Sequence, residues 1–157
     1  MPKNQAAITC VSVLVCDDFF RDIATQKLAI WGTFNEVSAA VVPARHPRLC
    51  VLVTLTNGRG VRNIGISIER ASDREAVIEI GGPMVFKSPL DIVEVGIVLQ
   101  QLVFQTFGKY WVCVKENGEI RAQRPFLVRK LKKPKKQRGS GDERNDDQRP
   151  SGPSESA

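Results

Sequence analysis

Apolar and polar residues alternate in short runs along most of the chain, and turn-forming residues separate the runs. The clearest run spans residues 61–69, where Ile64, Ile66 and Ile68 take every second position and smaller or polar residues, ending with Glu69, lie between them. Successive side chains of an extended chain point to opposite faces, so this pattern predicts a β-strand with one buried and one solvated face. Similar short runs, rich in β-branched residues, cover residues 8–15, 27–34, 36–42, 49–56, 75–80, 95–104, 109–115 and 119–128.

Turn signals divide these runs into strands. The Asn-Gly pairs at 57–58 and 117–118 are of the kind that favours two-residue hairpin turns. Residues 43–48 contain two prolines and are predicted as a loop, and the Gly-Gly-Pro sequence at 81–83 is predicted to end the strand before it. Pro125 falls inside the last run, so we expect it at a sheet edge or a bulge, where no ladder hydrogen bond is lost.

Two segments are compatible with both helix and strand. Some apolar residues of 92–104 have helical spacing, but the many β-branched residues and a central glycine favour a strand over 95–104. Residues 17–26 have room for one helical turn, with Asp17 or Asp18 as its cap.

The spacing of the runs predicts an all-β fold. About eight strands follow one another at intervals of roughly 8–12 residues, and the connections are too short for helical crossovers. Two sheets must bury their apolar faces against each other, so we expect an antiparallel β-sandwich of the Ig-like, Greek-key type. The chain of 157 residues is long enough for one such domain, which we assign to residues 1–131.

Positive charge is concentrated near the C-terminal end. The whole chain has a formal net charge of +6, and residues 129–138 hold seven Lys and Arg residues and no acidic residue. Residues 132–157 are almost entirely polar, so we expect a disordered tail, because such a segment buries too little apolar surface to offset its chain entropy. A flexible cationic segment can contact phosphates without sequence preference. The candidate nucleic-acid contacts are Arg129, Lys130, Lys132, Lys133, Lys135, Lys136 and Arg138.

The sequence has no residue pattern typical of catalysis or metal binding. Cys10, Cys16, Cys50 and Cys113 have no close partner at zinc-ligand spacing, and His46 is the only histidine. Each cysteine lies in or beside an apolar run, so we expect reduced thiols that pack as small apolar side chains. The acidic residues after the first run lack the glycine and the ligand spacing of a cation loop. We therefore expect no catalytic residue, no metal and no cofactor.

The sequence also bears on location. The first apolar run is short and continues directly into two acidic residues at 17–18, unlike the apolar region of a secretory signal. No apolar stretch approaches the length of about 18 residues that a membrane span requires. Reduced cysteines are typical of intracellular proteins. We therefore expect a cytoplasmic protein without a membrane partner.

Several short motifs resemble those of one protein family. The first run ends in Cys-Asp at 16–17, Gly32 follows the second run, and Gly-Lys-Tyr at 108–110 opens the run before the second Asn-Gly pair. Over residues 8–128 the chain resembles a family of small, mostly bacterial, single-domain β-sandwich proteins of unknown function. The resemblance implies the β-sandwich fold and no particular activity. We expect Tyr110 to serve packing, with a buried ring and a hydroxyl bonded to nearby backbone.

These observations favour a binding function over an enzymatic one. We expect a non-catalytic protein-binding or scaffolding module with an unidentified protein partner, because this type of fold often presents loops or edge strands to other chains. The loop at 43–48 and the strand with Pro125 are the candidate contact surfaces. The alternative is a nucleic-acid-associated protein that uses the basic segment at 129–138 for non-specific phosphate contacts.

Overall fold

The structure is a computed structural model that describes residues 5–133. Within this range the chain forms nine β-strands and no helix, which confirms the prediction of an all-β fold. No helix that could cross a membrane therefore occurs among these residues. The strands are β1 (Thr9–Arg21), β2 (Leu28–Thr33), β3 (Glu36–Ala39), β4 (Ala44–Thr56), β5 (Gly60–Arg70), β6 (Ala76–Phe86), β7 (Val93–Phe104), β8 (Gly108–Glu116) and β9 (Glu119–Lys130).

The strands form two sheets with a shared core. The first sheet has the order β2-β1-β4-β7, and the second has the order β3-β9-β8-β5-β6. All neighbours are antiparallel except β3 and β9, which are parallel. Inward-facing side chains of β4, such as Val51, and of β5, such as Ile66, belong to one apolar cluster and are at most 5% exposed. The alternation seen in the sequence therefore places one face of each sheet in this core.

The helical turn predicted after the first strand is not formed there. β1 continues to Arg21, because β2 pairs with it up to that residue. Asp17 and Asp18 consequently lie within a strand. The chain turns afterwards, and the carboxylate of Asp22 accepts a hydrogen bond from the backbone N–H of Thr25 at 2.6 Å. The predicted helical turn and its capping by Asp17 or Asp18 are therefore wrong, because pairing with β2 keeps these residues extended.

Two proline-containing segments are strands, contrary to prediction. Most of residues 43–48, predicted as a loop, belong to β4 and pair with β7. β1 pairs with β4 only as far as Cys50, so Pro47 lies where β4 has a free edge. Likewise β6 continues through residues 81–83, because it has β5 as its single neighbour and Pro83 lies on an edge strand. Proline is tolerated at such edges, where no second strand needs its missing N–H.

The two Asn-Gly pairs have different roles. Residues 117–118 join β8 to β9 as a hairpin, and both have the positive φ angles, 51° and 83°, that such turns require. Residues 57–58 were predicted to do the same, but they connect β4 in the first sheet to β5 in the second. That prediction was wrong, because the residue pair specifies a tight turn and not which strands will pair.

Two other local predictions are confirmed. Residues 95–104 are a strand, within β7. Pro125 lies at a free edge of β9, because β3 pairs with β9 only from Leu127 onward. The predicted boundary between a folded domain, 1–131, and a disordered tail, 132–157, falls largely outside the described residues.

The outer face of β5 is less solvated than its alternation predicts. Ser67 and Glu69 point away from the core, yet they are only 0% and 4% exposed. The long side chains of Lys115 and Arg74 cover them, with ammonium and guanidinium groups 2.6 Å and 3.0 Å from the Glu69 carboxylate. Long cationic side chains can cover a neighbour while their charged ends stay near water, which a pattern of single residues does not reveal.

The charged groups around Glu69 make the unfolding free energy depend on pH in the acidic range. Burial disfavours the Glu69 carboxylate, but hydrogen bonds from Lys115 and Ser67 and the nearby positive charges outweigh burial, so the pKa of Glu69 lies below its usual 4.5. The resulting stabilisation is complete above the unfolded-state pKa and is lost as pH falls through the lower folded-state pKa. We expect Glu69→Gln to flatten the pH dependence of the unfolding free energy below pH 4.5, as measured by urea titration. An unchanged pH profile would contradict this assignment.

Tyr110 has the packing role expected of it. Its ring is 1% exposed between Phe104 and Phe126, and its hydroxyl donates a hydrogen bond of 2.9 Å to the backbone carbonyl of Thr106. The bond joins the start of β8 to the connection from β7, at a corner between the two sheets.

Removing this hydroxyl should weaken the corner. We expect Tyr110→Phe to lower the unfolding free energy by about 1 kcal/mol, because the Thr106 carbonyl loses its partner while the ring remains packed. Urea titration measures the change. An unaltered midpoint would mean that the hydroxyl bond contributes nothing to the fold.

Candidate protein-docking groove

On the side of the molecule at β1 and β9, one side chain bridges the two sheets. These strands belong to different sheets, and the side chain of Arg124 on β9 crosses the gap between them. One of its Nη atoms donates a 3.0 Å hydrogen bond to the backbone carbonyl of Val13, and the other donates a 2.6 Å bond to the Asn35 side chain. The β1 carbonyl at this edge is thus satisfied by a side chain.

The opposite side, between β6 and β7, is open. In the part of the chain that the structure describes, β6 is the last strand of the second sheet and β7 is the last strand of the first, so each has one neighbour and one free edge there. These edges are long, at 11 and 12 residues. A free edge presents backbone N–H and C=O groups that can pair with another extended chain.

An apolar groove of about 300 Å³ lies between these edges. Apart from Pro83, its lining side chains on β6 and β7 face inward, yet they are only partly buried, unlike their counterparts on the inner strands. The groove therefore leaves one side of the apolar core accessible to solvent. Its lining residues are Ile64, Ile66, Ile80, Gly81, Gly82, Pro83, Met84, Val95 and Ile97.

Two adjacent glycines on β6 shape this groove in different ways. A Cβ atom on Gly81 would lie 2.7 Å from the carbonyl oxygen of Ile64, so the close approach of β5 requires a glycine there. Gly82 is opposite Ile64 in the strand register and shares its inward-facing side, but a Cβ atom on Gly82 would meet nothing within 4 Å. Gly82 thus leaves a notch on the apolar face of β6, where neighbouring inward positions hold Ile80 and Met84.

The carboxylates of β6 and β7 face away from the groove, on the outer faces of the two sheets. Residues 75–104 hold four acidic residues and one lysine, a formal charge of −3. Glu75, Glu79 and Glu94 have side chains that are 68%, 56% and 39% exposed, and each lies close to a cation of a neighbouring strand or turn. The acidic bias of this stretch of sequence is therefore balanced by cations of neighbouring strands and turns.

The predicted nucleic-acid contacts lie elsewhere on the molecule. Arg129 is the next-to-last residue of β9 and forms a 3.0 Å ion pair with Glu36 on β3. The other described members, Lys130, Lys132 and Lys133, are exposed at or just after the end of β9. The remaining three predicted contacts are outside the described residues: Lys135, Lys136 and Arg138.

Asp18 and His46, which were considered as candidates for metal binding or catalysis, make contacts within the fold. The Asp18 carboxylate forms a 2.7 Å ion pair with Arg48. His46 lies on β4 beside Phe34, and burial lowers the pKa of its imidazole. Across residues 5–133 no three His, Cys, Asp or Glu side chains come together as a group that could hold a metal ion.

The cysteines are free thiols, and three of them are buried. Cys16 and Cys50 face each other across β1 and β4, in a small apolar cluster on the outer face of the first sheet. Burial, followed by the nearby negative groups, raises the pKa of the Cys16 thiol to about 11. Burial also raises the pKa values of Cys10, Cys50 and Cys113. Such thiols are weak nucleophiles, which fits packing as small apolar side chains.

Comparison with known proteins gives a family but no activity. A search of curated proteins gives no match. One solved structure with some likeness is Pseudomonas fluorescens alkylpurine DNA glycosylase AlkC bound to DNA containing an abasic site analog. It is 11% identical with a TM-score of 0.44, and the match covers 78% of this chain and 30% of that chain. Residues 11–129 match a family described as a family of unknown function, DUF6941. The chain therefore belongs to the DUF6941 family, in agreement with the resemblance to an uncharacterised family noted in its motifs.

Proposed function

We propose that this protein is a non-catalytic protein-binding module, and that a segment of another protein binds on the open side between β6 and β7. The observation that carries the proposal is the pair of free strand edges on either side of an apolar groove. Backbone edges are complementary to a peptide main chain, and a groove continuous with the core favours apolar side chains.

We also propose that the two sheets form an Ig-like β-sandwich with Greek-key connections. In support, β1-β4-β7 faces β6-β5-β8-β9, and the chain changes sheet after β2, β3, β4, β6 and β7. The hydroxyl bond of Tyr110 to Thr106 lies at a corner between sheets, four residues upstream, as the tyrosine corner of Ig-like domains does. A crystal structure with a different strand order would overturn this part.

A cytoplasmic location is also part of the proposal. Cys16 and Cys50 are directly opposite each other on neighbouring strands and are nevertheless both free thiols, which fits a reducing compartment. Fractionation of cells that express the full chain tests this, and recovery outside the cytoplasmic fraction would contradict it.

The basic segment at 129–138 supports a second candidate function. Lys130, Lys132 and Lys133 are exposed and unobstructed by the sheets, so they suit non-specific contacts with nucleic-acid phosphates. Such binding should weaken steeply with salt and should fall when these three lysines are replaced with alanine, as measured by fluorescence anisotropy with labelled single-stranded DNA. If the triple-alanine variant bound the DNA with the affinity of the natural chain, nucleic-acid binding by this segment would be refuted.

The first candidate can be tested before the partner is identified. The full chain is used to select peptides of the length of β7, 12 residues, from a random display library, and affinities are measured by anisotropy. Ile97→Lys places an ammonium group in the groove, whereas Val98→Lys changes the next residue, which points to the outer face and is 41% exposed. We expect selected peptides to lose at least about tenfold in affinity for Ile97→Lys and little for Val98→Lys. A failure to select any peptide, or equal binding by both variants, would contradict the proposed docking side.

A further inference from the structure

A second cavity, of about 280 Å³, lies where β1 loses β4 as its neighbour. The pairing of β1 with β4 ends at Cys16, and the cavity begins at the next residue, Asp17. Its other walls come from residues 32–34, from residues 36–38 of β3 and from His46 on β4. None of its lining residues belongs to β6 or β7, so this cavity is separate from the groove between those strands.

Gly32 makes room for the carboxylate of Asp17. Its φ angle of 63° lies in the left-handed region, and a Cβ atom there would overlap Oδ2 of Asp17. Within residues 5–133 the backbone carbonyl of Asp17 accepts hydrogen bonds, but its carboxylate has no hydrogen-bond or ion-pair partner. The carboxylate of Asp18, by contrast, is held by Arg48. Asp17 is exposed, so an external ligand can reach its unpaired charge.

His46 supplies a second polar group without a partner. Its Nε2 atom is buried and forms no hydrogen bond with any described residue. Burying such a nitrogen costs about 1–3 kcal/mol, and almost all buried polar atoms in proteins are hydrogen-bonded. Burial also lowers the pKa of the imidazole below its usual 6.5, so the ring is uncharged near neutral pH and has one nitrogen that accepts. The atom therefore suits a hydrogen-bond donor brought by a ligand.

The charged and polar groups of the cavity favour a cation. None of the lining residues is Lys or Arg. The other carboxylate, of Glu36, already forms a 3.0 Å ion pair with Arg129 and accepts the Ser38 hydroxyl at 3.3 Å. Asp17 thus provides the negative charge that no neighbouring cation balances. A ligand with a positive charge and several N–H donors is complementary to these acceptors.

The aromatic wall narrows the choice of cation. The ring of Phe34 lines the cavity with its centroid 5.8 Å from that of His46. A guanidinium group is planar, is weakly hydrated and presents its donors in one plane, so its face can pack on an aromatic ring while its edge bonds a carboxylate. An ammonium group has no such face and is more strongly hydrated.

We propose that this cavity binds a guanidinium group, whose N–H groups donate to the Asp17 carboxylate and to Nε2 of His46 and whose face packs on Phe34. The group belongs either to a small molecule or to an arginine side chain of another protein, and the test below separates these sources. The inference does not depend on docking between β6 and β7.

The test is an NMR titration of the full chain, in which backbone amide shifts report the site of binding. The probe is butylguanidinium, and butylurea is its uncharged counterpart of nearly the same shape. We expect butylguanidinium to shift amides within residues 32–38 with a dissociation constant of about 1 mM or tighter. Butylurea should bind at least about tenfold more weakly, because it lacks the charge that Asp17 recognises.

The variant Asp17→Asn removes the charge and keeps the size of the side chain. Its matched control is Asp18→Asn, because Asp18 is the neighbouring carboxylate, is paired with Arg48 and does not line the cavity. We expect Asp17→Asn to weaken butylguanidinium binding by about tenfold or more and Asp18→Asn by less than about twofold. Thermal unfolding checks that both variants are folded.

The variant His46→Phe keeps an aromatic ring and removes Nε2. We expect it to weaken butylguanidinium binding several-fold without lowering the midpoint of thermal unfolding, because the buried nitrogen without a partner is gone. Unchanged affinity in a folded His46→Phe variant would refute the assigned role of Nε2. If this variant does not fold, the two asparagine variants still decide the proposal.

The source of the group is identified with a capped arginine, N-acetyl-arginine amide. Binding as tight as that of butylguanidinium would support an arginine side chain, and binding of butylguanidinium alone would support a small molecule. Four results would overturn the proposal: no shift within residues 32–38 at about 10 mM butylguanidinium, equal affinity for butylurea, equal losses in the two asparagine variants, or the same shifts with magnesium chloride in place of the organic cation.

Discussion

Replacing Glu116 with alanine is expected to lower the free energy of unfolding by about 3–5 kcal/mol. Glu116, at the end of β8, is 1% exposed and holds three donors from different parts of the chain. Its carboxylate lies 2.5 Å from a guanidinium nitrogen of Arg62 and 3.0 Å from Nε of Arg121, and it accepts the backbone N–H of Ile8 at 3.2 Å. Without it, the buried Arg62 would keep a charge without its carboxylate partner.

The measurement is a urea titration of Glu116→Ala against Glu119→Ala. Glu119 also pairs with Arg121, but its side chain is 73% exposed, so the control should cost at most about 1 kcal/mol. The double change Arg62→Met with Glu116→Leu should recover part of the loss, since apolar side chains can replace a buried ion pair. Equal effects of the two alanine substitutions would show that burial of the Glu116 carboxylate contributes nothing.

A loss of similar size is expected for Phe104→Ala. Phe104 ends β7 and is fully buried, with its ring centroid 5.0 Å from Tyr110 and 5.6 Å from Phe126, both in edge-to-face geometry. The three aromatic residues come from both sheets and fill one end of the core. Removing the ring leaves a cavity that the rigid strands cannot close, at a cost of about 3–5 kcal/mol.

The matched control is Phe20→Ala in β1. Phe20 is 60% exposed, so the same change of residue type should alter the unfolding free energy by about 0.5 kcal/mol or less. Both variants can be compared by urea titration at one pH. A small effect at Phe104 would contradict the described aromatic cluster.

The sequence predicted those strands whose own residues form a clear pattern of apolar and polar positions. Residues 61–69 and 95–104 are strands because their β-branched residues occur in short apolar runs, and Tyr110 has the packing role expected of it. The wrong predictions at the two proline-containing segments share one cause. Whether proline ends a strand at Pro47 or Pro83 depends on whether a second strand needs its N–H, and that depends on sheet order, which neither residue specifies.

The docking groove was not predicted, for the same reason. The sequence directed attention to residues 43–48, to Pro125 and to the basic segment, because prolines and charge runs are visible locally. The Gly-Gly-Pro sequence at 81–83 was interpreted as a strand end, although Gly82 continues the every-second-residue series of Ile78, Ile80 and Met84. That series is the signal that could have identified an incomplete apolar face. The sequence pattern could not show that β6 and β7 lie at the edges of their sheets.

The central claim is that a partner segment binds between β6 and β7 and pairs with the free edge of β7, because Pro83 interrupts the free edge of β6. Backbone amide hydrogen exchange of the full chain, with and without a selected peptide, tests it most directly, because a new strand protects the amides to which it bonds. The account predicts slower exchange within residues 93–104, with smaller changes in β6 and none in β9. Protection confined to residues 119–133, or unchanged exchange at residues 93–104 with saturating peptide, would contradict it.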